Sequence, residues 1–107
     1  IFNGYDEMLL SGLAAGADGG IGSTYNFMAE KYIRIMQLFQ EGQMEEARRI
    51  QTEADNIIDV LARVGVMPGE KAILTMMGMD FGQCRKPFKS ITAEEYEILK
   101  KAIAVLL

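Results

Sequence analysis

Three clusters of residue types in this chain could do chemistry. The first is Asn3-Gly4-Tyr5-Asp6-Glu7. Adjacent carboxylates accept hydrogen bonds from several hydroxyls, as a polyol ligand requires, and a glycine beside them lets the backbone approach it. The same two acids also suit the positive end of a helix dipole, and spacing alone favours that plainer capping role. The second cluster is Gly19-Gly20-Ile21-Gly22-Ser23-Thr24. Glycines followed by hydroxyls can present N–H and O–H donors to an anion such as a carboxylate or phosphate. The Gly-Lys-Ser/Thr ending of a Walker loop is missing, and so is the last glycine of a dinucleotide fingerprint. A tightly packed glycine strand with a Ser or Thr N-cap accounts for the segment equally well. The third cluster is Cys84-Arg85-Lys86-Pro87-Phe88. Two cations beside a thiol can lower its pKa. With no second cysteine and no histidine to partner it, a structural loop whose Arg85 and Lys86 pair with carboxylates is the better reading.

What is missing narrows the chemistry further. Without histidine, neither a Ser-His or Cys-His dyad nor a histidine-ligated metal site can be built from these residues. We therefore expect no metal and no cofactor. The six lysines, at 31, 71, 86, 89, 100 and 101, read as helix-surface or loop positions. None falls at a strand end, where a buried Schiff-base lysine is expected, so no catalytic residue is assigned in this chain. A single cysteine, Cys84, excludes an internal disulfide and fits a reducing compartment. A net charge of −4 argues against a nucleic-acid surface. No apolar run reaches the roughly 18 residues of a membrane span, and no signal peptide is visible. Eight methionines suggest a core of flexible side chains and carry no functional reading.

The elements that must position these clusters follow from periodicity. The 107 residues suffice for one domain, and 50% hydrophobic residues suffice for a core. Ile1-Phe2-Asn3 reads as the end of a strand, which implies a piece of something longer. Asp6 and Glu7 open a helix through Leu9, Leu10 and Leu13 that Gly16 stops. Residues 17–22 read as a second strand, giving a β-α-β unit with parallel strands. A helix from Tyr25 or Asn26 places Met28, Tyr32, Ile35 and Phe39 on one face, and Gly42 ends it. A third helix over 43–64 buries Ala47, Ile50, Ala54, Ile57, Ile58 and Leu61, and Gly65 caps it. Pro68 suits the first turn of a fourth helix reaching about Met77. Residues 78–91 form a long connection. Thr92-Ala93-Glu94-Glu95 is a capping box for a last helix whose face is Tyr96, Leu99, Ile103 and Leu106. Two parallel strands need burial on both faces, so either they join a sheet elsewhere or the helices dominate the fold.

Taken in order, Phe2-Asn3-Gly4-Tyr5-Asp6-Glu7, Gly16-Ala17-Asp18-Gly19-Gly20-Ile21-Gly22-Ser23-Thr24-Tyr25-Asn26 and Cys84-Arg85-Lys86-Pro87-Phe88 resemble the C-terminal part of the bacterial N-acetylneuraminate lyases. These sialic acid aldolases are pyruvate-dependent class I aldolases, as is dihydrodipicolinate synthase. The glycine-rich strand alone points to the superfamily. The Gly-Tyr-Asp-Glu turn, the Ser-Thr-Tyr-Asn ending and the Cys-Arg-Lys-Pro-Phe loop are more specific to the lyases.

The resemblance implies an α/β chain, the C-terminal part of a (β/α)₈ TIM barrel followed by a C-terminal helical extension. Residues 1–42 would be the last two β/α units and residues 43–107 the extension. A barrel of this kind takes about 250 residues. The implied reaction is reversible cleavage of N-acetylneuraminate into N-acetylmannosamine and pyruvate, in a cytoplasmic homotetramer. The Schiff-base lysine and the proton-relaying tyrosine would both lie outside this chain, which alone would be inactive. Within it, the resemblance assigns Gly4, Asp6, Glu7 and Ser23 to the sugar acid and places the backbone near Ile21 and Gly22 close to the pyruvate end. It leaves Cys84 structural. Two other readings stand beside it: an aldolase for another 2-keto-3-deoxy sugar acid, or a dihydrodipicolinate synthase-like enzyme, and, in a different class, a non-catalytic helical interaction module.

Overall fold

The computed structural model describes residues 1–105. They are mostly helical, with two short parallel strands, β1 (Phe2–Asn3) and β2 (Gly19–Gly20). Between the strands lie a 3₁₀ turn, Asp6–Met8, and helix α1, Leu9–Ala14. Helices α2 (Tyr25–Gln40), α3 (Met44–Val64), α4 (Val66–Met76) and α5 (Ala93–Ile103) follow. Two compact units are present, Ile1–Asn56 and Ile57–Leu107, and α3 contributes to both.

In the first unit, Phe2 aligns with Gly19 and Asn3 with Gly20. The ladder continues one bond further, where Ile21 N donates to Asn3 O at 2.9 Å. The β-α-β reading is therefore met, but the second strand is only two residues long. Its glycines lack the branched side chains that fit a pleated surface, so regular pairing stops early. α1 packs on both strands and on α2. The core here is Leu9, Leu10, Leu13, Met28, Tyr32, Ile35, Leu38, Ala47 and Ala54. Leu38 is buried where periodicity predicts Phe39, which is half-buried. Both positions flank the same stripe, and what packs opposite decides between them. α2 also leaves helical geometry at Met28 (φ −137°, ψ 38°). On α3, Ile50 is half-buried and the polar Gln51 takes the interior position beside it. Lys31 of α2 meets Glu53 of α3 at 2.9 Å. That bond holds the Glu53 carboxyl below its usual range, with the Lys31 and Arg49 charges adding to it.

The second unit is built from the end of α3 with α4 and α5. Ile57, Ile58, Leu61, Ala72, Ile73, Leu99 and Ile103 form its core. Gly65, with φ +107°, turns the chain from α3 into α4, a conformation that glycine adopts without steric cost. Gly69 lets α4 come close, because a Cβ there would lie 2.7 Å from Leu61 Cδ2. Tyr96 is half-buried beside the buried Leu99 and Ile103, and Leu106 lies outside the described residues. The predicted capping box forms: Thr92 Oγ1 accepts from Glu95 N at 3.1 Å, and Thr92 N donates to Glu95 Oε1 at 3.0 Å. Among the described residues no helix is long and apolar enough to cross a membrane.

Thr92→Ala removes one arm of that box. The cost is about 1 kcal/mol, read as a lower urea midpoint by circular dichroism, and Thr92→Ser restores most of it. An unchanged midpoint in Thr92→Ala would show that α5 does not depend on its cap.

Candidate functional site

The turns that follow β1 and β2 are bonded to each other. Asp6 opens the 3₁₀ turn after β1 and is 7% exposed. Its Oδ2 accepts from the backbone N–H of Thr24 at 3.0 Å and from the Thr24 hydroxyl. Thr24 Oγ1 also lies 2.7 Å from Tyr32 Oη. The Thr24 proton is committed to Asp6, so the Tyr32 phenol donates to Thr24. The result is a buried chain of donors running Tyr32 to Thr24 to Asp6.

Glycine makes room for it. A Cβ on Gly22 would stand 1.7 Å from Asp6 Oδ1, so any other residue there displaces the carboxylate. Gly20 does the same for Tyr25, whose Oη would be 2.3 Å from a Cβ at that position. The Tyr25 and Tyr32 rings pack with centroids 4.1 Å apart. Burial, and after it the negative charge of Asp6, pushes the Tyr25 phenol up to about 12. Burial also raises Tyr32, against a smaller opposing effect of its bond to Thr24. Both phenols therefore hold their protons at neutral pH.

The main chain of the same turn is pinned by Gln51. Its Nε2 donates to Asp6 O at 3.0 Å and to Asp55 Oδ1 at 2.9 Å, and its Oε1 accepts from Leu10 N at 3.0 Å. One side chain thus satisfies a first-turn N–H of α1 and a carbonyl of the preceding turn. Asn3 Nδ2 donates to Tyr5 O at 2.7 Å and shapes the same loop.

Of the residues that the sequence singles out, Asp6 is buried and fixed, Glu7 is half-buried beside it, and Gly4 and Ser23 are exposed. Gly4 has no atom within 4 Å of a built Cβ and no positive φ. Thr24 precedes α2 but makes no side-chain cap bond, because its hydroxyl faces Asp6 and Tyr32 instead. Sequence reasoning missed Gln51 altogether and took Tyr32 for core. Its only signal for Tyr32 was the hydroxyl on an otherwise apolar face. Arg85 and Lys86 are exposed, and the ion pairs among the described residues include those of Ile1 with Asp18, Lys31 with Glu53, and Arg49 with Glu46 and Glu53. In the second unit, Cys84 lines a cavity of about 390 Å³ with Lys71, Lys89 and Tyr96. No cluster of three metal-ligating side chains exists among the described residues.

Known proteins are similar to this chain in sequence and in fold. The model of the dihydrodipicolinate synthetase family matches residues 1–106. An N-acetylneuraminate lyase of Rhizobium meliloti is 46% identical over the full chain, which covers 36% of that relative's length. The pyruvate complex of N-acetylneuraminate lyase from Fusobacterium nucleatum superposes with a TM-score of 0.93 at 37% identity, over 100% of this chain and 36% of that one. A Clostridium difficile protein, CdNal, in complex with mannosamine gives a TM-score of 0.95 at 31% identity, over 100% and 37%. The chain therefore spans a little over a third of the length of the relatives it matches.

Thr24→Val removes the hydroxyl and leaves two buried partners short of a bond. It costs about 1–3 kcal/mol, and Thr24→Ser costs less; equal midpoints for all three proteins in urea would contradict the buried chain of bonds. The phenols also give stability a pH dependence. Their folded-state pKa values lie above the unfolded value of about 10, so their contribution is complete below pH 10 and is lost as pH rises towards 12. Tyr25→Phe flattens that alkaline slope in denaturation curves taken across this range.

Proposed function

Because the chain belongs to the dihydrodipicolinate synthetase family, we propose that it is the C-terminal part of a pyruvate-dependent N-acetylneuraminate lyase and supplies part of its sugar-acid site. The observation that carries this reading is the match to lyases of that name along the whole chain, 46% identical in one case. The two strand-end turns are bonded to each other within that matched fold. Substrate sites of (β/α)₈ barrels lie at the C-terminal ends of the strands, and both turns stand at such ends.

In this reading the last two β/α units span 1–42 and the helical extension 43–107. The lysine that forms the Schiff base with the keto carbon comes from a preceding segment of the complete enzyme. This chain acts on the other end of the substrate. A hydroxylated tail needs acceptors, and Asp6 and Glu7 provide adjacent carboxylates. Asp6 is held by Thr24 and Gln51, so it meets the ligand already oriented and loses little freedom on binding. Glu7, half-buried beside it, accepts from neighbouring hydroxyls. Gly4 has neither a steric nor a conformational need within this chain to be glycine. Close approach of the substrate supplies one. Exposed Ser23 adds a hydroxyl from the second turn. Binding energy gathered at this end holds the keto carbon in place for chemistry performed elsewhere.

The test uses the complete enzyme. Incubation with pyruvate and borohydride should trap one pyruvate per chain, and Glu7→Gln should leave that trapping intact. The same variant should raise KM for N-acetylneuraminate about ten- to a hundredfold, the loss expected for one hydrogen bond to a charged group. An unchanged KM in both Glu7→Gln and Asp6→Asn would remove the sugar-acid assignment.

A further inference from the structure

We propose that Tyr32 and Thr24 are positioning residues for the sugar-acid end of the substrate, acting through Asp6 and not by contact with the ligand. The inference rests on the reading of Asp6 as a sugar-acid contact. Tyr32 and Thr24 are each 3% exposed, more deeply buried than Asp6 at 7%. Yet both belong to one chain of bonds that ends on a carboxylate. Thr24 gives Asp6 Oδ2 its backbone N–H at 3.0 Å and its hydroxyl, and Tyr32 stands 2.7 Å behind that hydroxyl.

A carboxylate can rotate about its side-chain bonds, and this one is confined at both oxygens. Two donors converge on Oδ2. The space over Gly22 admits Oδ1 only because no Cβ is there. Gln51 holds the carbonyl of the same residue. The Tyr32 ring is itself held by the packed Tyr25 ring. Losing the phenol frees the Thr24 hydroxyl to turn away from Asp6, so the acceptor would face the ligand in several orientations instead of one. Orientation lost in this way weakens ligand binding without touching the ligand. In the proposed reading the Schiff-base lysine lies outside this chain, and the network ends on a residue assigned to the other end of the substrate. The effect should therefore divide between the two halves of the substrate.

Steady-state kinetics of the complete enzyme carrying Tyr32→Phe test this, with Thr24→Val and Thr24→Ser alongside. Tyr32→Phe keeps the ring and removes one hydroxyl. We expect KM for N-acetylneuraminate to rise about three- to tenfold, with pyruvate trapping by borohydride unchanged. Thr24→Val should raise KM at least as much, and Thr24→Ser should return it towards the starting value. A lowered melting temperature with KM unchanged in both Tyr32→Phe and Thr24→Val overturns the proposal and leaves the hydroxyls a purely structural part. Asp6→Asn separates the two ideas. If it raises KM while Tyr32→Phe does not, the positioning role fails and the contact stands; if neither moves KM, the contact itself fails.

Discussion

A carboxylate removed from water must be repaid with hydrogen bonds, and the first unit of this protein is organised around one such debt. Asp6 is almost fully buried. An unpaired carboxylate in that place would be strongly destabilising. The Thr24 N–H and hydroxyl answer it, and they come from the turn after the other strand. Meeting the need therefore locks together two segments that the short ladder of β1 and β2 would hold only weakly. Gln51 extends the lock to α3 through the Asp6 carbonyl. The turn between β1 and α1 is thus tied both to the second strand and to a helix more than forty residues away.

Such a lock imposes conditions on its neighbours. Gly22 has to be glycine because the Asp6 carboxylate occupies the place of a Cβ, and Gly20 because the Tyr25 phenol does. Gly20, one of the two glycines that make β2 a weak strand, thus leaves room for the Tyr25 phenol, and Gly22 just beyond the strand leaves room for the Asp6 carboxylate. Local propensity is given up for a buried polar network, a pattern expected where a structure serves a site. The tilted, closely packed tyrosines seal this network with apolar ring surface and keep their protons well into alkaline pH. Fixed donors converge on the Asp6 carboxylate and set its direction.

The second unit obeys simpler rules. Its helices meet through Leu61, Ile73, Leu99 and Ile103, and Gly69 permits close approach. Its polar signals are caps and turns that the sequence states locally: Gly65 with positive φ and the reciprocal bonds of Thr92 and Glu95. This is why the helices after residue 43 were legible almost to the residue from periodicity and caps. Each signal lies within four positions of the bond it makes. The first unit was legible to the level of β-α-β, with its two strand-end turns in the right places.

What the sequence determined by itself was the order and type of the elements, the parallel pairing, the two strand-end turns, and the family resemblance carried by Gly4-Tyr5-Asp6-Glu7 and Ser23-Thr24-Tyr25-Asn26. These are local matters: a 3.6-residue period, a capping residue, a short motif. Tertiary structure alone decided that Asp6 is buried and held by Thr24, that Thr24 is no side-chain cap, that Tyr32 is a donor as well as core, and that Gln51 belongs inside. Every one of these depends on a partner 8 to 45 positions away. Hydrogen bonds over such separations follow from which surfaces the chain folds against one another. A buried hydroxyl or amide is indistinguishable in the sequence from an exposed one until the group that satisfies it has been brought within 3 Å.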